Sequence, residues 1–159
     1  MTYQIGDKIV HPLHGAGEIS EIQIKRLDGK NRSYYVLHIP SGDMRVMIPT
    51  DACEQIGIRP IINRDQASAI LSAIPTLEVK EDSNWNKRYR TNMMRIKSGD
   101  LLEVAGVIKT LVQREARFGL SNGERKMLHS AKQILLSEMM LSQELSFDEV
   151  EKQLYDVLG

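Results

Sequence analysis

One cysteine, Cys53, stands in the whole sequence. No disulfide can therefore form within the chain, and no cysteine-rich zinc ribbon can be assembled. No run of about 18 apolar residues occurs, so the sequence has nothing of the length a membrane-spanning helix needs. The first residues lack a basic stretch leading into an apolar run, so no secretory signal is expected and a reducing, cytoplasmic setting is. Neither sign of charge is in excess: Lys+Arg 21 balances Asp+Glu 21, which argues against a polycation that coats nucleic acid by charge alone. Aromatic residues are scarce, with a single tryptophan and two phenylalanines. With 42% hydrophobic and 26% charged residues, the 159-residue chain has the composition of an ordinary folded protein and room for one domain or two small ones.

The zero balance conceals a strong segregation. Between Ser83 and Ser137 eleven basic residues face four acidic ones, a net of +7, whereas Glu138 to Gly159 carries six acids against Lys152 alone. An excess of that size on a folded segment can focus an anionic partner. The hydrophobic pattern divides the chain as well. Up to Ile48 short stretches alternate with period two or are β-branched and aromatic, at Lys8–Val10, Glu18–Ile24, Tyr34–Ile39 and Met44–Ile48, with Asp28-Gly29 and Ser41-Gly42-Asp43 as turns. Beyond Pro60 the period becomes helical, over Asp65–Ile74, Asn84–Lys97, Asp100–Phe118, Asn122–Leu141 and Phe147–Leu158. Ser121 with Glu124, and Ser146 with Glu149, have capping-box spacing. The expected fold is α+β: a small Tudor- or SH3-like β-barrel over residues 1–60, a short helix and connector over 61–83, and an all-helical bundle over 84–159.

Helix phase assigns faces. On Asp100–Phe118 an apolar stripe of Leu101, Val104, Ala105, Ile108, Leu111 and Val112 opposes Gly106, Thr110, Gln113, Arg114 and Arg117. On Asn122–Leu141, Arg125, His129 and Lys132 share a stripe away from the apolar one. Those cations either meet an anionic partner or form a solvated face.

No catalytic constellation is visible. His11, His14, His38 and Cys53 match no common zinc spacing, Cys53 has no basic helix start beside it, and Gly15-Ala16-Gly17 lacks the lysine and the following helix of a phosphate loop. No enzyme activity, metal or cofactor is expected. The informative stretch is Asn84-Trp85-Asn86-Lys87-Arg88-Tyr89-Arg90, which sets the lone tryptophan among three cations and a tyrosine. Such a mixture suits phosphate pairing combined with a ring that presses on an exposed base step. The competing reading is that Trp85, Tyr89, Met93 and Ile96 form a core stripe, although a ring in the first helical turn can project past the end of the bundle.

These residues, together with Ile5-Gly6-Asp7, Val10-His11-Pro12-Leu13-His14-Gly15-Ala16-Gly17, Tyr35-Val36-Leu37, Met47-Ile48-Pro49 and Gly119-Leu120-Ser121-Asn122-Gly123-Glu124-Arg125-Lys126, resemble the CarD-type bacterial transcription regulators over nearly the whole chain. The resemblance implies a non-enzymatic initiation factor whose barrel, similar to the polymerase-interacting domain of the transcription–repair coupling factor, docks on the β subunit of RNA polymerase; a monomer is expected. It also implies a helical domain at the upstream edge of the promoter bubble, with a tryptophan wedge in the minor groove stabilising the open complex. By position, it places Trp85, Lys87, Arg88, Arg90, Arg114, Arg125 and Lys126 on DNA, and Lys25, Leu37, Arg45, Met47 and Pro49 on polymerase. Some members have arginine where this chain has Met47, and Arg45, on the same strand face, is the candidate replacement charge. The alternative function is a sequence-tolerant RNA- or single-strand-binding module without polymerase contact.

Overall fold

The computed structural model describes residues 2–79 and 81–159. Met1 and Lys80, assigned from sequence to the first module and the connector, lie outside the described residues. The chain begins with β1 (Lys8–His11), β2 (Gly15–Leu27), β3 (Lys30–Ile39) and β4 (Met44–Pro49), followed by one helical turn, α1 (Cys53–Ile56), and the short β5 (Arg59–Pro60). All pairings are antiparallel and the order is β4-β3-β2-β1-β5. The β2–β3 hairpin closes where the sequence places Asp28-Gly29: both have positive φ, 52° and 75°. A two-residue turn of that hand matches the twist of the strands. One face of the sheet closes over Ile9, Ile19, Leu37, Ile39 and Ile48, with Tyr3, Cys53 and Ile58 at its margins. The sheet is open rather than fully closed, with β4 and β5 as its two edges.

Five helices follow: α2 (Arg64–Ala73), α3 (Trp85–Lys97), α4 (Leu101–Phe118), α5 (Asn122–Gln143) and α6 (Phe147–Leu158). Each begins at a side chain that accepts a backbone N–H of its first turn: Asn63, Asn84, Asp100, Ser121 and Ser146. That satisfies donors which the helix itself leaves unpaired. The α+β architecture agrees with the sequence reading, and so do the helix positions to within two residues. No helix among the described residues is long and apolar enough to cross a membrane.

The faces of α4 differ from expectation. Gly106 and Thr110, read as solvent-facing, are buried, and so is Lys109. The reason is that α4 is the centre of the bundle and meets α2, α3 and α5. Arg95 of α3 lies over Gly106, where a Cβ would collide with its guanidinium. Lys109 Nζ donates to the carbonyls of Ile74, Pro75 and Leu77 at 2.8–3.1 Å, tying down the 3₁₀ turn that follows α2.

The sheet and the bundle meet along α5. Gly15 opens β2 with φ +110°, and a side chain there would run into Ser137. The backbone N–H of Ala16 donates to Ser137 Oγ at 2.8 Å. Beside it Arg59 makes a two-pronged pair with Glu138 at 2.7 and 2.9 Å, and the Ile62 N–H donates to the same carboxylate at 2.8 Å. Glu138 is fully buried. A carboxylate so placed must keep its partners, because removing one strands a charge in a low-dielectric interior. Glu138→Gln is expected to destabilise the chain by about 3 kcal/mol, and Ser137→Ala by about 1 kcal/mol, both read from denaturant midpoints at neutral pH. Equal losses in the two variants would contradict this account of the joint.

Candidate nucleic-acid interface

Trp85 is the first residue of α3, held there by its neighbours. Asp82 accepts the Asn84 N–H at 2.8 Å, and the Asn84 side chain accepts the Lys87 N–H at 3.1 Å. The next turns of this face, Tyr89 and Met93, pack against the bundle core, and Ile96 is part of it. The stripe is divided between interior and surface. Its later members are internal, whereas the indole, at the end of the helix, stays 43% exposed. One ring face stacks on Tyr89, with centroids 5.0 Å apart and planes at 19°. The indole N–H donates to Ser121 Oγ at 3.2 Å. Gly123, at the start of α5, lies beside both rings, at a distance where a Cβ would make ordinary van der Waals contact with Tyr89 and Trp85.

Behind the indole lies a buried ion pair. Arg88 Nε donates to Glu124 Oε2 at 3.0 Å, with side-chain exposures of 5% and 3%. Arg88 also donates to the Asp82 carbonyl at 3.1 Å. Ser121 Oγ donates its one O–H to Glu124 Oε1 at 3.1 Å while accepting hydrogen bonds from the indole N–H and the Glu124 backbone N–H. Burial pushes the Glu124 carboxyl up, but the hydrogen bonds and charge of Arg88, helped by Ser121, outweigh it and hold the group below its ordinary value.

The seven residues assigned to DNA thus divide. Arg88 is corrected: its guanidinium is committed inside the protein and is not available to a phosphate. Arg114 is also engaged, pairing with Glu81 at 3.3 Å and lying over the Phe118 ring at 5.2 Å. Lys87, Arg90, Arg125 and Lys126 are exposed, and among the described residues no acid pairs with them. Arg125 lines the same cleft as Trp85, Arg88 and Arg114. Lys87 and Arg90, three apart, share the solvent side of α3 opposite Tyr89. On the α5 stripe Lys132 is held by Glu151 at 3.1 Å and the Tyr155 hydroxyl at 2.9 Å, which gives the acidic α6 a packing role. Phe118, 70% exposed at the end of α4, was not anticipated.

The polymerase set also divides. The pairings Tyr34 with Pro49, Val36 with Met47, His38 with Arg45 and Lys25 with Arg32 put Lys25, Arg45, Met47 and Pro49 on one face of the sheet. Leu37 has the opposite parity and is fully buried, so it is corrected to a core residue. Lys25 and Arg45 are exposed, Met47 and Pro49 half-buried, and β4 is an edge strand with one side unpaired.

Among the described residues no group of three or more His, Cys, Asp or Glu side chains could hold a metal ion. The rings of His11 and His14 lie against each other with centroids 4.5 Å apart and planes tilted by 52°. Burial, and then the neighbouring His14, lower the pKa of His11 to about 4. Cys53 is buried, its thiol pushed up chiefly by burial, which suits an inert apolar side chain.

Two family models match this chain: the CarD C-terminal domain over residues 69–155 and the CarD-like/TRCF RID domain over residues 3–62. A candidate transcription factor of Bacillus subtilis (strain 168), YdeB, is 35% identical over 137 residues, spanning 86% of this chain and 90% of that protein. The solution structure of the 72-residue N-terminal domain of Myxococcus xanthus CarD is similar at 25% identity, covering 37% of this chain and 79% of its own, with a TM-score of 0.33.

The buried pair makes a sharp distinction between adjacent cations. Arg88→Ala is expected to cost about 3–5 kcal/mol of stability, whereas Lys87→Ala should change it by less than about 0.5 kcal/mol. Because the folded value of Glu124 lies below its ordinary 4.5, the pair's contribution is complete above that pH and is lost as pH falls through the folded value. Glu124→Gln should remove this part of the acid dependence in a denaturation series. Equal sensitivity to Arg88→Ala and Lys87→Ala would contradict the arrangement.

Proposed function

This chain belongs to the CarD family of transcription factors, and from that premise we propose that it joins RNA polymerase to promoter DNA and stabilises the open complex. Its N-terminal segment is a CarD-like/TRCF RID domain, a polymerase-interacting module. On this reading residues 1–60 dock on the β subunit, 61–83 connect, and 84–159 engage DNA, the protein acting as a monomer and without catalysis. Docking uses the outer sheet face of Lys25, Arg45, Met47 and Pro49 and the free edge of β4, to which an extended segment can add as a further strand. The apolar Met47 and Pro49 supply contact area while Lys25 and Arg45 supply the charge.

The observation that carries the DNA half is the half-exposed indole fixed from behind by Tyr89, Ser121 and the Arg88–Glu124 pair. A ring that must pry open a base step needs a rigid backing, since unstacking a step costs a few kcal/mol. Here the ring is already oriented and loses little freedom on binding. Lys87, Arg90, Arg125 and Lys126 hold phosphates around it. Contacts of this kind respond to groove width and ease of melting rather than to base identity, so promoter preference follows the melting behaviour of the upstream fork.

The test is the lifetime of open complexes formed by a purified bacterial RNA polymerase holoenzyme after challenge with a competitor. The protein should lengthen it, Trp85→Ala should remove most of the gain while still co-purifying with polymerase, and Lys25→Glu combined with Met47→Glu should abolish co-purification. A lifetime unaffected by the protein would overturn the open-complex role. Failure of the wild-type chain to retain polymerase, with single-strand binding intact, would favour the stand-alone nucleic-acid-binding module.

A further inference from the structure

Phe118 lines the same cleft as Trp85 and belongs to neither apolar core. It ends α4, Gly119 turns the chain with φ +80°, and Leu120 is buried. The turn is thus anchored by Leu120, while the Phe118 ring points outward, 70% exposed and outside the bundle's apolar core. The guanidinium of Arg114 lies over this ring at 5.2 Å, fixing it by a cation–π contact.

Trp85 and Phe118, brought together from the start of α3 and the end of α4, line a cleft of about 460 Å³ with Arg114, Leu120 and Arg125. The acids nearby are neutralised, Glu124 by Arg88 and Glu81 by Arg114, while Arg125 has no acidic partner among the described residues. The cleft therefore offers two ring faces and an uncompensated cation. This combination fits a flat heterocycle joined to an anion, and a nucleobase with its phosphate is such a group.

We propose that this cleft seats a single unpaired nucleobase at the edge of melted DNA, with Phe118 as a second stacking surface opposite Trp85 and Arg125 on the adjoining phosphate. The inference rests on the DNA-binding reading above and adds an occupant to the space beside the indole. The indole parts the strands, and the cleft then holds one of the freed bases, so that re-pairing must first extract it. Recognition through ring faces is tolerant of base identity.

The full chain is titrated at low salt onto a forked duplex with 2-aminopurine as its first unpaired base, and onto a closed duplex of equal length. The wild-type chain should prefer the fork and lower the 2-aminopurine fluorescence through stacking. Phe118→Ala should weaken fork binding by about tenfold, the scale of one lost base–aromatic stack, with closed-duplex affinity unchanged. Phe118→Leu should behave like alanine, and Phe118→Tyr should restore the preference. The exposed position should leave the thermal midpoint of each variant unaltered, so that changes in binding are not changes in folding. If Trp85→Ala weakens fork binding while Phe118→Ala does not, the cleft proposal fails and the wedge stands. If the wild-type chain binds neither DNA, both fail.

Discussion

The arrangement of the helical half depends on one ion pair that water cannot reach. Arg88 and Glu124 sit on different helices, 36 residues apart in sequence, and neither could remain charged and buried without the other. Their meeting forces the start of α3 against the start of α5. That contact brings Ser121 under the indole nitrogen and Gly123 beneath the rings. Ser121 then has a fully used hydroxyl: it caps α5, donates its O–H to Glu124 and accepts a hydrogen bond from the indole N–H. A capping device that would otherwise only begin a helix here also sets the angle of the exposed ring.

A second set of buried contacts does for the two halves what the first does for the helices. Glu138 receives Arg59 and the Ile62 N–H, and Ser137 receives Ala16, so the strand leaving Gly15 is bound to α5. The outer sheet face and the Trp85 cleft then belong to one body. Under the proposed function, in which one end holds polymerase and the other a DNA fork, position is transmitted only if the middle does not bend. Internal pairing also sorts the cations. Arg59, Arg88, Arg114 and Lys132 are held by acids, whereas among the described residues no acid pairs with Lys87, Arg90, Arg125 or Lys126. The +7 excess read along the chain therefore overstates what a phosphate meets.

Much of the fold was legible in the sequence because its signals are local. Alternation placed β2 and β3, Asp28-Gly29 marked their turn, and Ser121 and Ser146 with their glutamates marked the starts of α5 and α6. What escaped depends on distant partners. Nothing within a few residues of Arg88 says that Glu124 will bury it, nor near Arg114 that Glu81 will. Leu37 was assigned to a surface although strand parity beside Val36 and His38 turns it inward, and a register error of one residue reverses every such assignment. Helical phase separated one face of α4 from the other, but a central helix has no outer face for its first turns, so Gly106 and Thr110 were misplaced. Phe118 escaped because a phenylalanine ending an amphipathic helix ordinarily reads as core.

The central claim is that a rigidly backed indole meets DNA. Trp85 is the only tryptophan in the chain, so intrinsic emission reports on that ring alone. Collisional quenching by acrylamide, measured with and without forked DNA, tests the claim most directly. The account requires a ring that the quencher reaches in the free protein and that forked DNA shields. A ring equally accessible in both conditions, or inaccessible from the outset, would contradict it.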